Sequence, residues 1–263
     1  MKKWKKFEID CTNYLNNMFG TYATFIHQGG ADSTVSDIFV KTKSGKTFYI
    51  DAKQCPAQCG QFVLLPDIET KTFQYSTKNV NPINSHAEII IYYMNQHFNK
   101  FCEASTTGRE IVFPNSSAVF SNWIIQIYQE KRTRFFITND FAILPIEQFQ
   151  QYFDVTAKYR IKRSGSSHVG KRQFKPVMDY ISSHDYGICD CHMDGDKLFV
   201  LSLQNLHNQR FILQGNEYMF SLRNDTYELR RLSNTYHANV IFSIKQRENI
   251  LGMGNSEFIS TLK

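Results

Sequence analysis

The sequence predicts an α/β (α+β) protein, with a core built on a central mixed sheet flanked by helices and a mostly β C-terminal portion. Three observations predict it. Up to about residue 154, segments with apolar residues at helical spacing alternate with segments of strand-like character. Beyond that point short apolar runs separated by turn residues dominate. No apolar run reaches the roughly 18 residues that a membrane span needs. The chain has 263 residues, 42% hydrophobic and 21% charged, an ordinary balance for one large or two modest domains. The shift in character places a soft boundary near residue 155, giving parts 1–154 and 155–263.

Taken in order, residues 2–19 read as a helix, because Trp4, Phe7, Cys11, Tyr14, Leu15 and Met18 recur at helical spacing and Gly20 is a natural stop. Glu8 falls at the edge of that stripe, where a carboxylate can look into a cleft. Residues 22–27 read as a strand and 28–33 as a polar loop. Two strands follow, joined by Lys43-Ser44-Gly45. Residues 61–65 form another short apolar run. Residues 85–101 read as a helix capped by Asn84 or Ser85, with Glu88 three positions after Ser85. A short strand at 111–113, a helix at 116–130, a strand at 134–138 and a short helix at 145–153 complete the first part. In the second part residues 176–182 look helical, and 198–203, 211–213, 218–222, 227–232 and 239–244 read as short strands.

Net charge is +6, which favours an anionic partner, and its distribution says more than its total. Residues 158–175 hold seven Lys/Arg and no Asp or Glu. The basic start, Met1 to Lys6, lacks the apolar stretch of a signal peptide, so a cytoplasmic protein with no membrane partner is expected. The glycines between 165 and 170 lack the pattern that cradles nucleotide phosphates. Six cysteines are expected as thiols. Cys55 and Cys59, with Cys189-Asp190-Cys191-His192, offer zinc ligands, though at neither of the usual spacings.

The chemistry concentrates in the two strands around Lys43-Ser44-Gly45. Asp37 sits on the first, in Val35-Ser36-Asp37-Ile38, and Asp51 and Lys53 on the second, in Ile50-Asp51-Ala52-Lys53. A three-residue loop ending in a left-handed glycine pairs Thr42 with Lys46. Counting back puts Asp37 opposite Asp51, with both carboxylates and Lys53 on one face. A two-residue loop would pair Asp37 with Ala52 and break the set. Two carboxylates so close need a cation, and Mg²⁺ is suited to one or two carboxylates with water and phosphate completing its shell. Beside a phosphodiester, such a metal polarises the phosphoryl group, while Lys53 orients water or stabilises developing charge.

These residues resemble the PD-(D/E)XK nuclease superfamily, the fold of type II restriction endonucleases and Holliday-junction resolvases. The resemblance covers residues 1–70, and the α/β segment to 154 is compatible with it. It implies that Asp37, Asp51 and the main-chain carbonyl of Ala52 bind Mg²⁺, with Mn²⁺ able to substitute. It also implies that Lys53 is the catalytic lysine, that Glu8 reaches the metal through water, and that the enzyme works as a homodimer on double-stranded DNA in a prokaryotic cytoplasm. Ser36 stands where the motif name carries proline, and Asp51 where glutamate is commoner. For DNA contact the basic stretch offers Lys158, Arg160, Lys162, Arg163, Ser164, Ser166, Lys171 and Arg172. The leading reading is a sequence-specific endonuclease of the restriction type. The alternatives are a structure-selective resolvase or repair nuclease, and a non-catalytic DNA-binding protein on the same fold.

Overall fold

The computed structural model describes residues 3–28, 35–163, 165–232 and 236–263. The chain opens with α1 (Lys3–Phe19), β1 (Ala23–His27), β2 (Ile38–Thr42), β3 (Thr47–Ala52), β4 (Ala57–Asp67) and β5 (Thr72–Tyr75). It continues through α2 (Ser85–Gln96), α3 (Phe98–Cys102), β6 (Arg109–Ile111), α4 (Ser116–Glu130), β7 (Thr133–Ile137), β8 (Ile143–Pro145), α5 (Phe149–Tyr152) and β9 (Phe153–Arg163). Then come β10 (Ser166–His168), α6 (Lys171–Ser182), β11 (Ile188–Asp194), β12 (Lys197–Ser202), β13 (Arg210–Leu213), β14 (Asn216–Arg223) and β15 (Thr226–Leu232). The last elements are β16 (Tyr236–Gln246) and α7 (Asn255–Leu262). Two compact units result, one of residues 1–160 with 238–263, the other of 161–237. A single boundary near residue 155 does not contain this return of the chain. The return follows from β16 pairing with β4, Val240 opposite Phe62, a contact between segments far apart in sequence.

The first unit carries two sheets. One has the order β1-β2-β3-β7-β8, antiparallel throughout except where β3 and β7 run parallel. The α4 helix supplies the crossover that a parallel pair requires. One face of this sheet packs Ile38, Val40, Ile50 and Phe135 against Cys11, Leu15 and Phe19 of α1 and Phe258 and Leu262 of α7. On the other face Phe136 meets Tyr128 of α4, ring centroids 5.0 Å apart. The second sheet has the order β5-β4-β16-β9-β6. Its Phe62 and Phe242 lie against Trp123 of α4, at 5.6 and 4.4 Å between ring centroids. One helix thus serves both sheets of this unit. Burying large rings at this density contributes about 1.5–3 kcal/mol per side chain.

The second unit is one antiparallel sheet, β11-β12-β15-β14-β13 with β10 on β15. Val177 and Ile181 of α6 pack on Leu198, Val200, Tyr218 and Leu229. Alternation sends Glu228 and Arg230 to the face opposite Tyr227 and Leu229. There Glu228, only 3% exposed, meets His168 Nδ1 at 2.8 Å, Arg230 at 2.5 Å and Arg223 Nε at 3.1 Å. Burial alone would raise its pKa, but Arg230, His168 and Arg223 outweigh burial and hold the carboxylate below its usual range. Arg230 also donates to the carbonyl and hydroxyl of Ser166, tying β10 to the sheet. Glu228→Ala strips three basic groups of their shared partner. It is expected to lower the urea midpoint of the full chain by the equivalent of about 3 kcal/mol. An unchanged midpoint would show the network to be dispensable.

Several elements differ from the sequence reading. The buried stripe of α1 is Glu8, Cys11, Thr12, Leu15 and Phe19, while Trp4 and Met18 face outward at 45% and 47% exposure. Helical spacing fits either stripe, and the packing partner chooses. The helix expected at 85–101 breaks at His97 into α2 and α3, capped by the Asn84 side chain on the Ala87 N–H at 2.9 Å. The basic stretch from 158 is strand β9 and then, from Lys171, helix α6. That helix tolerates Pro176 within it. The segment at 145–153 is a 3₁₀ turn followed by the single turn of α5. Strands β5, β8, β10 and β11 and helix α7 carry too few apolar residues at regular spacing to be read from sequence.

Candidate active site

The β2–β3 hairpin has the predicted register. The Thr42 N–H donates to the Lys46 carbonyl at 2.9 Å, and the Gly45 N–H returns to the Thr42 carbonyl at 3.0 Å. Gly45 has φ +85°, the left-handed conformation that the three-residue loop requires. Ile38 pairs with Ile50, so one step further brings Asp37 opposite Asp51. In the continued ladder Ser36 would offer its carbonyl to Ala52. Instead Asp37 Oδ2 accepts the Ala52 N–H at 2.9 Å. The carboxylate is therefore fixed to the strand that carries the other two residues. Ser36, buried, bonds to the Thr133 hydroxyl at 2.7 Å, anchoring the segment to β7 without the proline that the motif name carries.

Asp37, Asp51 and Lys53 line one cleft of about 460 Å³. Lys53 Nζ lies 2.5 Å from Asp51 Oδ2, and both side chains are largely buried. That oxygen nevertheless has no hydrogen-bond partner of acceptable direction, so the contact is a charge contact with a lone pair still on offer. Burial pushes the Asp37 carboxyl up to about 7, and the Asp51 charge adds to the rise. Lys53 and the Ala52 N–H pull it down, while Glu8 pushes it further up. Burial works against the Lys53 ammonium too, yet Asp51, Tyr128, Cys59 and Asp37 together outweigh burial and hold its pKa well above the ordinary range. Lys53 is therefore a standing cation and not a proton acceptor near neutrality.

The remaining walls come from elements the sequence reading did not connect to the site. Tyr128 on α4 lies under the Lys53 ammonium, 5.8 Å from its ring centroid, and Lys131 just past α4 approaches the same ring at 5.3 Å. Burial, then Asp51, raises the Tyr128 phenol well above its usual range, so it stays neutral. Cys59 behind it is pushed up to about 12 by burial and stays a thiol. Gln58 and Gln61 belong to β4 and line the cleft. Gly60 between them has φ +106°, and a Cβ there would sit 2.7 Å from the Trp123 ring, so the close approach of β4 to α4 requires glycine. Asn79 clamps the opposite rim, with its side chain making paired bonds to the Val63 N–H and carbonyl at 2.7 and 2.9 Å.

Glu8 is buried and bonds to His27 Nε2 at 3.0 Å. It stands close enough to Asp37 to raise its pKa, but it is not among the residues lining the cleft. His27, at the end of β1, carried no sequence signal. Among the described residues no group of three or more His, Cys, Asp or Glu is arranged to hold a metal ion, the four cysteines considered for zinc included. The donors that line the cleft are the carboxylates of Asp37 and Asp51, while Ala52 between Asp51 and Lys53 is not among its lining residues. A buried carboxylate oxygen that meets the Lys53 charge without a hydrogen bond, and a second carboxyl held at about 7, are what a hard dication would relieve, so the residues fit such an ion. Among the described residues no helix is long and apolar enough to cross a membrane.

No family model matches the sequence, and no curated protein matches it at a significant level. Among solved structures, HhaI endonuclease in complex with DNA matches at a TM-score of 0.72. It shares 38% sequence identity, and the match covers 99% of this chain and 98% of that one. The chain belongs to the type II restriction endonucleases of the PD-(D/E)XK class. This restriction endonuclease is accordingly a phosphodiester hydrolase with the mixed α/β core of that class. Its basic residues are dispersed over ordered elements. Lys158 is exposed on β9, and Arg160 beyond it is half-buried. Ser166 is engaged by Arg230, while Lys171 and Arg172 are exposed in the first turn of α6. Ser164 and the side chains of Lys162 and Arg163 lie outside the described residues.

Proposed function

We propose that this restriction endonuclease cuts double-stranded DNA at a specific sequence and depends on Mg²⁺. The observation that carries the reading is the joint presence of Asp37, Asp51 and Lys53 in one cleft, with a buried oxygen of Asp51 lacking a hydrogen bond. Asp37, Asp51 and the Ala52 carbonyl would hold the ion, which when bound supplies Lewis-acid polarisation of the scissile phosphoryl group and a more acidic water. Asp37 is kept in place by the Ala52 N–H, so the ligand set is preorganised by the ladder itself. Lys53 holds the attacking water and faces the charge that grows on the non-bridging phosphoryl oxygens as the water oxygen bonds to phosphorus, the water's proton passes to solvent, and the bond to the leaving oxygen breaks. Glu8, bonded to His27, acts from outside the cleft by fixing the charge around Asp37.

DNA is held through phosphate contacts from Lys158, Arg160, Lys162, Arg163, Ser164, Lys171 and Arg172, with Ser166 offering its remaining hydroxyl proton. Among the described residues one site of this kind is present, and a homodimer about a two-fold axis supplies the second for a symmetric sequence. Sedimentation on DNA measures the number of chains, and a nicked-circle intermediate marks one chain working strand by strand.

The test is cleavage of a plasmid of known sequence. Discrete, reproducible fragments are expected with Mg²⁺, fragments again with Mn²⁺, and none with EDTA. Cutting confined to branched DNA would replace this reading with the structure-selective one. Binding without metal-dependent turnover would replace it with a non-catalytic one.

A further inference from the structure

We infer that Lys131 is a second phosphate-binding cation of the active cleft, acting on the same phosphodiester as Lys53. The inference rests on the reading above. Lys131 lines the cleft that Asp37, Asp51 and Lys53 line. Its ammonium lies 5.3 Å from the centroid of the Tyr128 ring, and the Lys53 ammonium lies 5.8 Å from the same centroid. A neutral, buried aromatic ring therefore serves two cations, a use of its π face that holds both stems in place. Position on the helix adds to this. Lys131 is the residue that ends α4, where the helix dipole favours a positive charge.

A phosphodiester under attack gathers further negative charge on its oxygens, and a second ammonium lining the same cleft as Lys53 stands where it can meet that charge. Burial lowers the Lys131 pKa, Asp51 opposes that lowering, and the neighbouring Lys53 charge adds to it. A partly desolvated cation of this sort interacts more strongly with an arriving phosphate than a solvated one would. Nothing in the sequence pointed here, because Lys131 follows an ordinary helix and lies far from the Asp37 hairpin in the chain.

The experiment compares wild type, Lys131→Ala and Lys131→Arg in the full chain. DNA binding by anisotropy is measured in EDTA between 50 and 200 mM KCl, and single-turnover cleavage is measured in Mg²⁺ at saturating enzyme. One lost phosphate contact makes the slope of log affinity against log salt shallower by about one. The alanine variant is expected to show that change and a cleavage rate at least about tenfold lower. The arginine variant is expected to recover the slope. A wild-type slope in the alanine variant overturns the inference, whatever the rate does. Lys53→Met, run alongside, tests the nuclease reading separately: its loss of cleavage upholds that reading even where the Lys131 inference fails.

Discussion

Asp37→Asn abolishes cleavage and, at pH 8 without metal, makes the protein more stable than the wild type. The two effects share one cause. Asp37 is raised from its ordinary 3.8 to about 7, first by burial and then by Asp51. A carboxyl whose folded pKa lies above its unfolded value retains a proton in the folded chain that the unfolded chain has released. Stability therefore falls as pH rises from about 3.8, and the loss is complete above about 7. Asparagine carries no such loss. Its side-chain carbonyl still accepts the Ala52 N–H that Asp37 Oδ2 accepts at 2.9 Å, so the strand is kept. The gain is on the order of 2–4 kcal/mol, since a pKa unit is worth about 1.4 kcal/mol. It should shrink below pH 7 and vanish near pH 4. Thermal melts at pH 4 and 8 check this, and equal melting temperatures at pH 8 would refute it. Excess Mg²⁺ should raise the melting temperature of the wild type and leave the variant nearly unmoved, because ligand binding stabilises only the chain that binds.

The second expected result has the opposite sign for stability. Lys53→Met lowers the single-turnover cleavage rate by about 10³-fold, the scale seen when one preorganised electrostatic donor is removed. Methionine keeps most of the apolar stem but leaves Asp51 buried without the ammonium 2.5 Å away. The metal-free variant should lose about 3 kcal/mol, as a broken buried pair does. The metal-induced rise in melting temperature should exceed that of the wild type, because the dication now meets two uncompensated carboxylates. A rate within tenfold of wild type would remove Lys53 from the reaction. Those two results together would mark a site built against its own stability, with repulsion between Asp37 and Asp51 tolerated in favour of binding a cation.

The candidate site was half legible in the sequence. Its legible half is local: Asp37, Asp51 and Lys53 fall within one hairpin, and the hairpin's register follows from Gly45 closing a three-residue loop. The other half is Tyr128, Lys131, Asn79 and His27, contributed by elements that meet the hairpin only when the sheets and α4 assemble. Lysines at helix ends and tyrosines in apolar stripes are too common for their types alone to single these out.

The same division holds for the fold. The sequence by itself determined the hairpin, the bounds of α4 and five of the later strands, because each depends on a periodic pattern or a turn residue within a few positions. It also determined the class, through Asp37 and Asp51-Ala52-Lys53. Only the tertiary structure decided which stripe of α1 is buried and that residues 238–263 return to the first unit. Only it showed that the basic stretch forms β9 and α6. These depend on which distant surface is available to pack against, and the free energy of burial is a property of the pair of surfaces, not of either segment read alone.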